Sequence, residues 1–285
     1  MSCTSCTSSN KCWWDTASGL CKEKGFFDFY YSCKVTYTKE CPRAVYRNNS
    51  YNEHFAKYVM FRLASASQAR APQQCLSNIS PFTKLHHRIF LTGLTSLADI
   101  STLTAISDDL KAILISFGAT TTAFQYIAQV ISVVFPRAKI GSYGKINCYH
   151  AYIFKKLWVH GLKADVLELV EAYPAYEIWI SGISMGGALA NLGAHVIATN
   201  VNNSAERIKL VTFASPRICD AGFGQIQNSM IVYQYHVVHS NDVVAHFPPT
   251  IIFPDRHSGI EVKKLCSTLK SHEIFIVEKF PYRGR

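Results

Sequence analysis

The sequence predicts an α/β fold, a mostly parallel central sheet flanked by helices, with a small disulfide-rich segment at its N-terminus. Three observations carry that expectation. Apolar runs of strand length alternate with runs of helix length over most of the 285 residues. One strand-to-helix junction holds the pentapeptide Gly182-Ile183-Ser184-Met185-Gly186. Cys3, Cys6, Cys12, Cys21, Cys33 and Cys41 crowd the start of a chain that has ten cysteines in all. Hydrophobic residues make up 48% of the chain and charged ones 17%, a balance that closes a core and argues against disorder.

The elements follow in order. Glu53 to Ala66 reads as a helix, because Phe55, Val59, Met60 and Leu63 recur at its period. Residues 85–110 show no clear period. Lys111 to Phe117 is an almost wholly apolar, β-branched run that suits a buried strand. His150 to Tyr173 reads as one long helix, stopped by Pro174. Tyr176 to Ser181 is a second buried strand, Gly182 to Ala198 a helix, and Lys209 to Ala214 and Ile231 to His239 two further strands. The most apolar helix, from Met185 to Ala198, is interrupted by Asn191 and His195, so a membrane span is not expected.

The cysteines divide the chain into a module over 1–45 and a larger domain over 46–285. So short a segment cannot enclose a sufficient core and needs cross-links, each contributing about 2 to 4 kcal/mol. Zinc is the competing use of Cys3-x-x-Cys6, but Cys12 and Cys21 do not make the second C-x-x-C pair. Disulfides imply an oxidising compartment, and sequons at Asn48, Asn78 and Asn202 agree with a secreted, glycosylated protein. No signal peptide is visible, since the chain opens MSCTSC without a basic or apolar leader. The formal charge of +10 is spread in short clusters such as Lys22, Lys24 and Lys263, Lys264, which argues against nucleic acid and leaves peripheral contact with a lipid surface open.

The pentapeptide has the form G-x-S-x-G in a strand, turn, helix context. A sharp turn there lifts a serine hydroxyl above the sheet, and only glycine leaves room two residues to either side. Ser184 is thus the candidate nucleophile. A serine hydroxyl needs a base, and the base needs a carboxylate to orient it. Asp242, just past the strand ending at His239, is the candidate acid, with Asp220 and Asp255 as competitors. His195, His236, His239 and His246 are less well placed than His257 and His272, which both follow Asp242 as the chain order of this motif requires, and the residues alone do not choose between these two. The backbone N–H of Met185 and a group at Thr120, after the strand AILISF, are candidates for holding the oxyanion. No metal or cofactor is called for.

YNEHFAKYVM, AILISFGAT, YEIWISGISMGGALA, KLVTFASPR, HVVHSNDVVAHFPP and HSGIEV, in that order, resemble the fungal-type or class 3 lipases, particularly nematode members, over roughly residues 50 to 260. The resemblance implies an α/β-hydrolase fold with Ser184 as nucleophile, Asp242 as acid, His257 as base and Thr120 with Met185 at the oxyanion. It also implies a lid over the segment with Phe124, Ile127, Ile131, Val134 and Phe135, which by residue spacing alone fits a core helix or strand as well. Departures from the family pattern fall at Ile183, where histidine is usual, at Gly118-Ala119 in place of Arg-Gly, and at Ala214 in place of glycine. The expected activity is hydrolysis of acylglycerol esters by an acyl-enzyme route. A carboxylesterase without interfacial activation and a catalytically weakened lipid-binding protein are the alternatives.

Overall fold

The computed structural model describes residues 3–15, 20–25, 34–35, 50–95, 98–120, 137–139, 144–239, 242, 245, 257–265 and 274–278. At the N-terminus, α1 (Cys3–Thr7) leads into β1 (Cys12–Asp15), β2 (Leu20–Glu23) and β3 (Lys34–Val35), which form an antiparallel sheet in the order β2-β1-β3. Cys6 and Cys21 form a disulfide beside the buried Trp13, the cross-linking expected of so small a core. No group of residues able to hold a metal ion occurs among the described residues. Trp14, next along β1, packs against the core that lies on the main sheet.

The main body of the chain begins with α2 (π-helical over Phe55–Met60, continuing as an α-helix over Phe61–Ala66), whose start is held by Asn52 accepting from the Phe55 N–H at 2.9 Å. Next come α3 (Pro72–Ser77), β4 (Thr83–Thr95), β5 (Ala98–Ser107) and β6 (Ala112–Thr120). Residues 85–110, which show no period in the sequence, are thus largely β4 and β5, a long antiparallel pair. The cause is visible in the register: β4 bulges between Leu85 and His87, and a bulge shifts the alternation of inward and outward residues. β6 runs on through Gly118 and Ala119 to Thr120, farther than the apolar run indicates, because β5 pairs with it as far as Asp99.

β7 (Arg137–Lys139) and β8 (Lys145–Asn147) pair with each other and precede α4 (Cys148–Leu157) and α5 (Lys163–Ala172). The single helix expected over 150–173 is therefore two. Between them His160 and Gly161 leave helical geometry, with Gly161 at φ 131°, a value that favours glycine. β9 (Glu177–Ile183), α6 (Met185–Asn200), β10 (Ile208–Phe213), α7 (Ala221–Met230) and β11 (Tyr233–His239) follow, then β12 (Ile260–Leu265) and β13 (Ile274–Glu278).

The main sheet has the order β13-β12-β11-β10-β9-β6-β5-β4, with β6, β9, β10, β11 and β12 mutually parallel. Alternation along the strands sorts two cores. Ile113, Ile115, Phe117, Ile178, Ile180 and Leu210 face α4 to α7, whereas Leu114, Trp179, Val211, Tyr235 and Val237 face α2 and α3. Each fully buried aliphatic or aromatic side chain stabilises the fold by roughly 1.5 to 3 kcal/mol. This layering brings the carboxyl ends of the parallel strands to one edge, where crevices form in such sheets. No helix among the described residues is long and apolar enough to cross a membrane.

Candidate active site

Ser184 stands between β9 and α6 with φ 53° and ψ −122°, a strained backbone for a residue with a side chain. Its surroundings hold it there. The Ser184 N–H donates to the Phe213 carbonyl of β10 at 2.8 Å, and its own carbonyl accepts from Ala188 N–H at 3.2 Å. A Cβ on Gly182 would collide with the Gly186 carbonyl, and one on Gly186 with the Phe117 carbonyl of β6. The glycines thus let three backbones meet around one serine. A Cβ on Gly187 would stand 2.9 Å from the Ser215 Cβ, so a third glycine seats α6 on the loop after β10.

Met185 is the first residue of α6, so its N–H has no carbonyl a turn earlier to bond. Gly186 approaches the Phe117 and Gly118 backbone, which places the end of β6, and with it Thr120, beside the turn. Gly118 occupies the position where the resembling family has arginine. A Cβ there would lie 2.5 Å from Ser67 Oγ and 2.8 Å from Gln68 Cγ, so the end of α2 fills that space. Ala214 replaces the family's glycine and takes φ 48°, a left-handed conformation costing about 1 to 2 kcal/mol for a residue with a Cβ. Its N–H still reaches the Val237 carbonyl at 2.9 Å. Ile183 turns its side chain into the core under α2.

Asp242 lies three residues past β11, at the carboxyl edge, and is partly buried. Its competitor Asp220 instead caps α7, accepting from the Phe223 N–H at 2.9 Å. Asp255, His246, His272, Asn48 and the five residues Phe124, Ile127, Ile131, Val134 and Phe135 lie outside the described residues.

His257 precedes β12. Because β12 is parallel to β11, with Ile260 level with Tyr235, this turn enters the sheet from the end opposite the Ser184 elbow. The ring folds back over the sheet and stacks on His236, with centroids 4.0 Å apart. Nε2 of His257 donates to the Ala245 carbonyl at 2.8 Å. A ring nitrogen bonded to a carbonyl oxygen carries the proton, so in this arrangement Nε2 is a donor and not a base.

A buried polar brace fixes that turn. Ser258 Oγ donates to Asn191 Oδ1 at 2.8 Å, Gln227 Nε2 donates to the same oxygen at 2.6 Å, and the Gly259 N–H donates to Asn228 Oδ1 at 2.7 Å. Gln234 Nε2 donates to Asn228 Oδ1 as well. The amino-acid pattern does not reveal this set. Its one trace there is Asn191 interrupting an apolar helix, where a buried amide requires partners. His195, one turn farther along α6, is buried, stacks on Phe223 at 4.1 Å and is pushed down to about 3 by burial; His150 in α4 is pushed down to about 4 for the same reason. Both are neutral core histidines.

The fold is that of the α/β-hydrolases, with a serine elbow at the carboxyl edge of the sheet. Residues 114–251, just under half of the chain, match the family described as class 3 lipase. A lipase of Caenorhabditis elegans is 32% identical over 143 residues, which is 50% of this chain and 40% of that protein. The chain thus spans less than half the length of this relative. Among solved structures, a lipase of Rhizopus microsporus var. chinensis superposes with a TM-score of 0.67 at 20% identity, covering 83% of this chain and 84% of that one. A triacylglycerol lipase described as having a serine protease triad as its catalytic centre gives 0.64 at 21% identity, over 75% and 81%.

Proposed function

We propose that the protein is a secreted serine hydrolase that cleaves acylglycerol esters. The observation that carries this reading is the Ser184 elbow, a serine held at φ 53° by three close backbones at the carboxyl edge of a parallel sheet. Strain of this kind persists only where the surroundings enforce it, and it exposes the hydroxyl for attack. The relatives' description as lipases supports an ester of fatty acids as substrate, and the Cys6–Cys21 disulfide supports an oxidising compartment.

In this reading Ser184 Oγ attacks the ester carbonyl and passes its proton to an imidazole, which returns it to the leaving alcohol. The Met185 and Thr120 N–H groups hold the oxyanion, each donor being worth about 2.7 to 4 kcal/mol of barrier. Asp242 orients and stabilises the imidazolium, and water then releases the acid. His257 takes the base role once its Nε2 exchanges the Ala245 carbonyl for Ser184. The observed Nε2–Ala245 bond favours a second reading, in which His272 is the base and His257 a fixed part of the scaffold.

Labelling with an organophosphonate ester, read by mass spectrometry, tests all of this. The wild-type chain should label at Ser184 and the Ser184→Ala variant should not. His257→Ala should cut labelling by at least about a thousandfold if it is the base. Undiminished labelling of His257→Ala together with loss in His272→Ala would transfer the role. A wild-type chain that stays unlabelled would leave the fold as a lipid-binding protein.

A further inference from the structure

Beyond the site itself, α2 turns an unusual face to solvent. His54, Lys57, Tyr58, Phe61 and Arg62 fall at intervals of three and four residues, so they form one outward stripe. Tyr58 is 42% exposed and Phe61 45% exposed, although the opposite face of the same helix buries Met60 and Leu63 completely. Lys57 Nζ lies 5.5 Å from the Tyr58 ring centroid, and the Arg62 guanidinium 5.7 Å from it. Arg62 also donates to the Asn78 carbonyl, which fixes its direction. No acidic residue occurs from His54 to Arg70, and Glu53 before it accepts the Tyr51 hydroxyl at 2.6 Å.

The stripe runs beside the elbow. Ser181 of β9 donates to the Met60 carbonyl at 2.9 Å, so α2 climbs along β9 toward the carboxyl edge. The Phe61 ring meets Phe213 edge-on at 5.1 Å, and the Phe213 carbonyl is the acceptor that holds Ser184.

We propose that this stripe is a docking surface for anionic lipid. Exposed aromatics flanked by cations, with no acid among them, match an interface in which ring faces enter the headgroup layer while ammonium and guanidinium groups meet phosphate and carboxylate. The proposal deepens the ester-hydrolase reading by giving the chain an orientation on its substrate: docking through α2 sets the carboxyl edge against the lipid. It uses none of the residues of the lid segment implied by the family resemblance.

Co-sedimentation with vesicles of phosphatidylcholine, with and without phosphatidylserine, tests it in the Ser184→Ala background, where turnover plays no part. Binding should require phosphatidylserine and weaken as salt is raised. Lys57→Glu with Arg62→Glu should weaken it by at least about thirtyfold, and Tyr58→Ser with Phe61→Ser by roughly tenfold, both with unchanged circular dichroism. Lys155→Glu with Lys156→Glu on α4 makes the same charge change elsewhere and should matter far less. Equal losses in the α2 and α4 pairs, or equal binding to both vesicle types, would overturn the proposal. Loss of phosphonate labelling in the wild type would instead sink the hydrolase reading and leave this test standing.

Discussion

The two sides of the candidate site are built by opposite means. Around Ser184 the chain is fixed by backbone sterics, with Gly182, Gly186 and the Phe117 and Phe213 carbonyls in mutual contact. Around His257 it is fixed by side-chain hydrogen bonds, through Asn191, Gln227, Asn228 and Ser258, drawn from α6, α7 and the turn itself. Steric exclusion tolerates no neighbour of another size. A polar brace tolerates rearrangement when its partners can be exchanged, and the Nε2–Ala245 bond is one such exchangeable contact. The difference teaches that the Ser184 turn is set when the chain folds, whereas the His257 ring is held by contacts that can be exchanged.

Acid should have the largest effect, and it acts on the core that both sides share. His195 and His150 are held neutral at about 3 and about 4 in the fold, against an ordinary value near 6.5. The unfolded chain therefore binds more protons below about pH 6.5, and stability falls as pH drops through the window from about 6.5 to about 4 for His150 and to about 3 for His195. Together the two histidines should remove about 4 kcal/mol between pH 7 and pH 5. Denaturant melts at the two pH values measure this, and a His195→Phe variant should show about half the loss.

Gly186→Ala attacks the Ser184 side. The added methyl meets the Phe117 carbonyl, which cannot swing away as a side chain would, so a loss of about 3 kcal/mol is expected together with loss of phosphonate labelling. A variant as stable as wild type would show that the elbow yields more than its contacts allow. Ala214→Gly is the smallest and runs the opposite way. It relieves a left-handed alanine beside the elbow and should stabilise the protein by about 1 kcal/mol, raising its melting temperature by a few degrees.

The same contrast explains what could be read from the sequence. The elbow was legible because its signature is local: five consecutive residues and the strand before them carry it, although the Phe117 and Phe213 carbonyls that complete its contacts come from other strands. The buried strands at Lys111 to Phe117 and Tyr176 to Ser181 were legible for the same reason, being continuous apolar runs. What escaped depends on distant partners. Gln227 and Asn228 look like ordinary polar residues on an amphipathic helix until Asn191 and the 258–259 turn arrive beneath them. β4 and β5 were obscured by a bulge, and the break at Gly161 was hidden because the residues on either side keep a helical period through it. The role of His257 was taken from resemblance, and resemblance carries no information about which ring nitrogen holds the proton.

The order of the main sheet leaves β4 as its outermost strand on one side. A long terminal strand offers unused backbone donors and acceptors to any extended polypeptide that meets it. Lys84, His86, His87 and Arg88 sit on this one, with the irregularity at Leu85 and His87 among them. The positive charges of Lys84 and Arg88 and a broken ladder make the rim a poor template for a second molecule of the same kind. The rim therefore resists the edge-to-edge joining of sheets from two copies of the chain.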